Sequence, residues 1–264
     1  MKSVLSVAGS DSSGGAGIQA DIKTIQSMHV FAQTALTALT AQNTLGVSSV
    51  LEVASRFVED QIDVVFADIR PDAVKIGMVS SASVAERVAC ALQRNGATNV
   101  VVDPVMVATS GARLISEDAL GVLTTELFAL ASIITPNIPE AEILSGRPIE
   151  GKADQEDVAR VLADRFGCAV LVKGGHGLND ANDVLAQPAC PARWFEALRI
   201  DNPNTHGTGC TLSSAIACGL ALGHSLEDSV SAAKQYLSGA LAAGLDLGKG
   251  PGPLDHMWNN RLIG

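Results

Sequence analysis

The chain has 264 residues, of which 47% are hydrophobic, 17% charged and only 3% aromatic, and it carries a net charge of −10 at neutral pH. So much aliphatic material excludes wholesale disorder. The acidic balance excludes a nucleic-acid surface as the main function. The five cysteines are odd in number and form no C-x-x-C pair, which excludes a disulfide framework or zinc site and points to a reducing cytosol.

Residues 3–8 read as a first β-strand rather than a signal peptide, because the apolar run ends at Asp11 in a glycine-rich turn. A helix over 15–28 follows, then strands over 34–41 and 47–53. Phe57, Ile62, Val65, Phe66 and Ile69 recur at helical spacing, so 56–69 reads as a helix. Residues 73–78 are a strand, and 81–95 a helix with Val84, Val88 and Leu92 on one face. The run 99–103 is a buried strand ending in an acid. A helix over 116–128, a strand over 131–135 and a helix from 138 come next. Residues 153–166 form a helix and 168–173 a strand. Residues 183–187 and 192–200 pair as a hairpin or short antiparallel unit. Helices start near Gly209 and run over 226–244, and 248–256 is a Gly/Pro loop.

Repeated strand–helix alternation predicts an α/β fold with a mostly parallel central sheet, helices on both faces, and a single domain over 1–264. Ligands on such sheets bind outside the strand C-termini. Two stretches, 24–51 and 202–226, contain no Asp, Glu, Lys or Arg. Both are rich in Thr, Gln, Ser, Asn or Gly, so they are poor membrane spans and read as substrate-facing interior.

The residues that point to chemistry gather at those strand ends. Gly9-Ser10-Asp11-Ser12-Ser13-Gly14-Gly15-Ala16-Gly17 joins the first strand to the first helix. It is neither a Walker A loop nor G-x-G-x-x-G, and it serves as a ligand cradle or a tight structural turn. Asp21, on the helix after it, reads as a solvated acid or a ligand contact. Thr205-His206-Gly207-Thr208-Gly209-Cys210-Thr211 opens a charge-free helix. Gly207 and Gly209 free its backbone, and the amides of 208–211 would converge as an anion hole. Cys210 falls in the first turn, where the helix dipole is expected to lower a thiol pKa. A glycine turn with a buried cysteine is the plainer alternative. Asp103, before Pro104-Val105-Met106, can hold Mg²⁺ through water or approach a phosphate, or it is an ordinary loop acid. Asn137 and Glu140 share a helical face and suit Mg²⁺, although an N-cap with a first-turn acid has the same letters. Lys173, in Lys173-Gly174-Gly175-His176, can meet phosphate as a point charge or lie on the surface. His29, His224 and His256 show no metal spacing and read as structural or solvated. Together, the phosphate-friendly loops, oxygen ligands and lysine are the set that phosphoryl transfer requires.

These segments, with Thr37-Ala38-Leu39-Thr40-Ala41-Gln42-Asn43-Thr44 and Lys75-Ile76-Gly77-Met78, resemble the hydroxymethylpyrimidine/phosphomethylpyrimidine kinases of thiamine biosynthesis, in the ribokinase-like superfamily. The resemblance runs over residues 3–258. It implies an ATP- and Mg²⁺-dependent cytoplasmic kinase, commonly a dimer, that phosphorylates 4-amino-5-hydroxymethyl-2-methylpyrimidine and then its monophosphate. It implies that Gly9, Asp21, Gln42, Met78 and Val105 hold the pyrimidine, Gln42 by its amide and Met78 and Val105 against the ring faces. It further implies Mg²⁺ and phosphate contacts from Asn137 and Glu140, nucleotide contacts from Lys173, Thr208 and Asp103, and catalysis at Gly207, Gly209 and Cys210. Cys210 matches the position where sugar kinases of the superfamily carry an aspartate base. A neutral thiol tolerates both an alcohol and a phosphate acceptor, whereas a carboxylate would repel the second. Ser12 stands where many relatives have proline, and the compact segment 177–199 implies a small lid. The competing readings are a pyridoxal/pyridoxine kinase of the same superfamily, a kinase of the first step only, and a non-catalytic ligand-binding protein.

Overall fold

The computed structural model describes residues 1–106, 115–175 and 181–259. Nine strands form one sheet: β1 (Ser3–Asp11), β2 (Phe31–Asn43), β3 (Gly46–Glu52), β4 (Ala73–Ile76), β5 (Val100–Val102), β6 (Ile133–Ile134), β7 (Ala169–Val172), β8 (Asp183–Ala186) and β9 (Arg193–Phe195). Their order is β3-β2-β1-β4-β5-β6-β7-β8-β9. The stretch from β2 to β7 is parallel, while β3 at one edge and β8–β9 at the other pair antiparallel. The expected mostly parallel sheet and the 183–200 hairpin are thus both present.

The central strands are short continuous apolar runs because both their faces are covered. Alternate residues go to opposite cores. Leu5, Val7, Val74, Ile76, Val100 and Val102 pack under α2 (Ser55–Asp68), α3 (Ala82–Arg94), α4 (Glu117–Val122), α5 (Ile138–Ser145) and α6 (Lys152–Phe166). Val4, Ala73, Val101, Ile133 and Leu171 face α1 (Gly17–Ser27), α7 (Thr208–Ala221) and α8 (Leu226–Ala242). Two polar residues interrupt this second face. Ser6 of β1 and Lys75 of β4 are register partners, and both are fully buried.

Chain order reverses at β1, which has β2 on one side and β4 on the other. The crevice beyond the C-terminal ends of these strands is where such a fold admits a ligand.

Two expectations need correction. The helix over 116–128 is regular only to Val122, then passes through a π turn, Leu123–Leu127, and a 3-10 turn, Phe128–Leu130. The charge-free stretch 24–51 is interior only in part, since β3 is exposed along its length and shows Val47, Val50 and Leu51 to solvent. The other charge-free stretch behaves as expected in α7, whose residues Thr211–Gly219 are all buried. His176, and the start of the segment read as a small lid, lie outside the described residues.

Candidate active site

The start of α7 is the centre of the site. Its N-cap, Gly207, has φ 87°, and a side chain there would collide with the Gly15 carbonyl oxygen. Glycine therefore lets two loops close against each other. Thr211 N donates to Gly207 O at 2.9 Å, the first bond of the helix. The amides of Gly209 and Cys210 precede it and have no protein acceptor among the described residues. They are free donors of the kind a helix start offers to an anion. Thr208 is half-buried in the same turn.

Gly209 also provides room. A Cβ on it would lie 3.1 Å from Asp103 Oδ2 and 3.3 Å from Lys173 Nζ. Asp103 and Lys173 come from the ends of β5 and β7, and Lys173 Nζ donates to Asp103 Oδ1 at 2.9 Å. Thr135 Oγ1 donates to the same oxygen at 3.2 Å. Lys173 bridges to Asn137 through the backbone, so its loop meets the start of α5. Burial works against the Lys173 charge, but Asp103 and Glu140 outweigh it and raise its pKa.

Asn137 and Glu140 form a reciprocal capping box. Glu140 N donates to Asn137 Oδ1, and Asn137 N donates to Glu140 Oε2, both at 2.9 Å. Glu140 Oε1 accepts from Met106 N at 3.1 Å, which ties α5 to the loop after β5. The plainer reading of these letters, an N-cap with a first-turn acid, is therefore realised. It does not exhaust Glu140. Burial pushes its carboxyl pKa up, and the neighbouring Asp103 adds to the shift against Lys173. Two close carboxylates with an amide oxygen make an oxygen-only donor set of the kind that magnesium takes.

Cys210 is half-buried. Its thiol pKa is pushed up to about 11, mainly by burial, with Asp21 and Asp103 adding and Lys75 and the Gly17 N–H opposing. The direction is opposite to the lowering expected at a helix start, because loss of water around the thiolate disfavours the charged form. Cys210 is a neutral thiol at physiological pH.

Asp21 is not solvated. It is fully buried, and its carboxylate accepts from Lys75 Nζ at 2.8 and 2.9 Å, Ser6 Oγ at 2.5 Å and Ser214 Oγ at 2.8 Å. Gly17 and Asp21 lie one turn apart on α1, as Cys210 and Ser214 do on α7, so the ion pair sits one turn beneath the thiol. The structure places Asp21 behind the site rather than in it. Burial opposes the Lys75 charge, but Asp21 more than compensates and keeps it protonated.

At the other side, Met78 follows β4 with its methyl over the Gly9 backbone, where a Cβ would approach Met78 Cε to 2.5 Å. Thr37 Oγ1 donates to Met78 O at 2.8 Å. Val105, after β5, is half-buried. Gln42, near the end of β2, is half-buried, and Ser12 Oγ makes 2.8 Å bonds to both its backbone N and O. Its amide meets His206 and Thr40. His206 Nε2 in turn lies 2.8 Å from Asp11 Oδ2, and the imidazole packs on Gly15. Burial alone would raise the Asp11 carboxyl. The His206 bond, the Ser13 hydroxyl and amide, and the Ala16 amide together hold it far below the usual carboxylate range.

The structure thus joins Gly209, Asp103, Lys173, Asn137 and Glu140 in one cluster, and Gly9 with Met78 in another. Among the described residues, Thr208 and Val105 make no hydrogen bond to these groups. Asp11, His206 and Lys75 were not singled out from sequence, although all three stand inside quoted segments. A lysine inside the buried strand Ala73–Ile76 was the readable signal for Lys75. His256, read as structural or solvated, is buried, bonded to Thr211 Oγ1 at 3.0 Å and depressed by burial to about 4, so it is structural.

The phosphomethylpyrimidine kinase family model matches residues 11–255. The hydroxymethylpyrimidine/phosphomethylpyrimidine kinase of Rhizobium meliloti is 48% identical over 96% of this chain and 96% of its own length. The thiamine biosynthesis bifunctional protein ThiED of Geobacter sulfurreducens is 49% identical over 97% of this chain, which spans about half (52%) of that protein. Among solved structures, the phosphomethylpyrimidine kinase of Clostridium difficile superposes with a TM-score of 0.81 at 40% identity, covering 90% of this chain and 98% of the other. An ADP complex of Bacillus subtilis pyridoxal kinase gives 0.91 at 34% identity over 98% and 99%.

Proposed function

The chain belongs to the phosphomethylpyrimidine kinase family, and from that premise we propose that it transfers the γ-phosphoryl group of ATP first to 4-amino-5-hydroxymethyl-2-methylpyrimidine and then to the resulting monophosphate, within thiamine biosynthesis. The observation that carries this reading is the start of α7. There two unpaired amides, a neutral thiol and the Lys173–Asp103 pair face one another between the strand ends.

Each residue then has a physical task. Gln42, Met78, Gly9 and Val105 orient the pyrimidine so that its hydroxymethyl oxygen lies in line with the phosphoryl group. The amides of Gly209 and Cys210 receive charge on the transferring phosphoryl oxygens. Lys173 releases part of its hold on Asp103 to meet a nucleotide phosphate, and Thr208 supports it. Cys210 keeps its proton and leaves the acceptor position uncharged. A loose transition state demands little base catalysis, so the alcohol proton passes late to an oxygen of the transferring phosphoryl group, and the neutral thiol does not repel the phosphate of the second acceptor. Glu140, Asp103 and Asn137 are oxygen donors fit to hold Mg²⁺. Mg²⁺ bound there would neutralise phosphate charge.

The reading includes one kinase domain in a cytoplasmic homodimer. Leu39, Leu45, Val47, Val50 and Leu51, exposed on the β2–β3 hairpin, support a second copy of the chain as partner. All five cysteines are free, which supports a reducing compartment. No helix among the described residues is long and apolar enough to cross a membrane.

The test is a coupled assay with Mg²⁺, ATP and the hydroxymethylpyrimidine, with products resolved by mass. Diphosphate is the expected end product, monophosphate alone would limit the chain to the first step, and absence of both would refute the reading. The pyridoxal kinase structures favour a second reading, in which a pyridine alcohol is the acceptor. Turnover on pyridoxine without turnover on the pyrimidine would establish it.

A further inference from the structure

The hydrogen-bond partners of Gln42 determine which way its amide points. Asp11 accepts from Ser13 N at 2.8 Å, Ser13 Oγ at 2.7 Å, Gly15 N at 3.1 Å and Ala16 N at 2.8 Å. A carboxylate so surrounded is ionised and only accepts. His206 Nε2, 2.8 Å from Asp11 Oδ2, therefore carries a proton and donates it. The same nitrogen is 3.3 Å from one end of the Gln42 amide. An NH₂ group at that end would set donor against donor, whereas a carbonyl oxygen shares the His206 proton.

The other end gives the same answer independently. It lies 3.1 Å from Thr40 Oγ1. Thr40 has one hydroxyl proton and gives it to Ser10 O at 2.8 Å. It can therefore only accept from Gln42, which puts the NH₂ group there. The hydrogen-bond network, rather than the near-identical shapes of the two amide ends, decides the orientation, and it reverses the placement of Gln42 Nε2 beside His206 and Oε1 beside Thr40.

We propose that the Asp11–His206 pair is a positioning device that locks the Gln42 amide with its oxygen toward His206 and its nitrogen toward Thr40, so that the site selects an acceptor carrying a ring nitrogen beside an amino group. The proposal rests on the reading that Gln42 meets the pyrimidine. Locked in this way, Gln42 keeps one N–H and one oxygen lone pair for a ligand. An aminopyrimidine edge supplies the matching acceptor and donor side by side. The 4-oxo counterpart presents an N–H and a carbonyl, the reverse pattern. It cannot turn over to compensate, because its hydroxymethyl group must still reach the start of α7. A freely flipping amide would take either edge, and a locked one takes only the first.

The test compares kcat/KM for 4-amino-5-hydroxymethyl-2-methylpyrimidine and its 4-oxo counterpart in four proteins. The unaltered chain should prefer the amino compound by about 10²-fold or more, as sites with fixed buried polar groups do. His206→Phe keeps a ring against Gly15 but no donor. It should narrow that preference about tenfold, with the amino substrate losing through KM and not kcat. His206→Gln restores an N–H donor and should recover the preference. Gln42→Ala should raise KM for the pyrimidine. An unchanged preference in folded His206→Phe, with KM raised in Gln42→Ala, overturns the lock and leaves the Gln42 reading standing. An unchanged KM in Gln42→Ala overturns both, as does an unaltered chain that shows no preference.

Discussion

Two lysine–aspartate pairs lie beside the start of α7, and they differ in how far each is sealed. The side chains of Lys75 and Asp21 are 0% exposed, and Asp21 also accepts from two serines. Lys173 and Asp103 are 14% and 3% exposed, and a single threonine completes the second pair. The first pair has every bond it needs within the protein. The second keeps Lys173 within reach of the site, where in the proposed reaction it would exchange a carboxylate for a phosphate. On that proposal the same two residue types serve as scaffold in one place and as working groups in the other. Solvent access and hydrogen-bond satisfaction separate the two roles, because a charge surrounded by protein partners has nothing left to offer a ligand.

Removing one member of the sealed pair should produce the largest effect. Lys75→Met leaves Asp21 buried without its cation, which costs about 3–5 kcal/mol of stability. Urea denaturation measures it, and Lys75→Met combined with Asp21→Leu should recover much of the loss. A destabilisation below about 1 kcal/mol would erase the contrast between the pairs.

Cys210→Asp tests why the acceptor side carries no charge. A carboxylate about 4 Å from a phosphate acceptor is repelled by roughly 4 kcal/mol at an effective dielectric of 20. Asp21 and Asp103, which already disfavour a negative Cys210, would add to the strain. The second transfer should therefore fall far more than the first, by about 10³-fold. Equal loss of both steps, measured by mass-resolved single turnover, would remove this role from Cys210.

The open pair should respond in activity more than in stability. Lys173→Met should lower kcat/KM for ATP by about 10²-fold, comparable to loss of one transition-state donor. Its melting temperature should fall less than that of Lys75→Met, since Lys173 reaches the site edge and Asp103 keeps Thr135. A variant that unfolds like Lys75→Met would place both pairs in the scaffold.

The division between the pairs also explains what the sequence made legible. The order of strands and helices was readable because each apolar run fills one strand or one helix face. Asp103, Lys173, Asn137 and Glu140 were readable as a set because they fall at ends of parallel strands, where the fold collects its ligands. Asp21 was not readable. Its partners are Ser6, Lys75 and Ser214, from three other elements, and no local spacing links them. The direction of the Cys210 shift was missed for a related reason. A helix terminus is local and visible in sequence, whereas the burial that raises the pKa comes from packing of α1 against α7. Likewise β3 is free of charged residues up to Leu51, as an interior strand can be, and its edge position leaves it exposed.

Alkylation gives a direct measure of that burial. With the Cys210 thiol at about 11, its reaction with iodoacetamide should be slow at pH 7 and rise about tenfold per pH unit through pH 9, without a plateau. The exposed Cys90 and Cys190 should react first, so the sites are followed by mass mapping. A plateau near pH 7 would mean that the helix terminus prevails after all.

The smallest effect belongs to Ser12, which lies outside both pairs and sets the scale for them. Its hydroxyl laces the loop after β1 to the backbone of Gln42 through two bonds, and the side chain is exposed. Each such bond contributes about 0.5–1.5 kcal/mol net, and less where water competes. Proline would forfeit both but would also restrict the unfolded chain, a gain of about 0.4–1 kcal/mol where its ring fits. Ser12→Pro should therefore change stability by no more than about 1 kcal/mol, while KM for the pyrimidine rises about threefold as Gln42 loses its backbone tether. Because Thr40 and His206 still hold the amide itself, the preference for the amino over the oxo pyrimidine should survive. Loss of that preference in Ser12→Pro would mean that the backbone tether orients Gln42 and the side-chain partners merely follow.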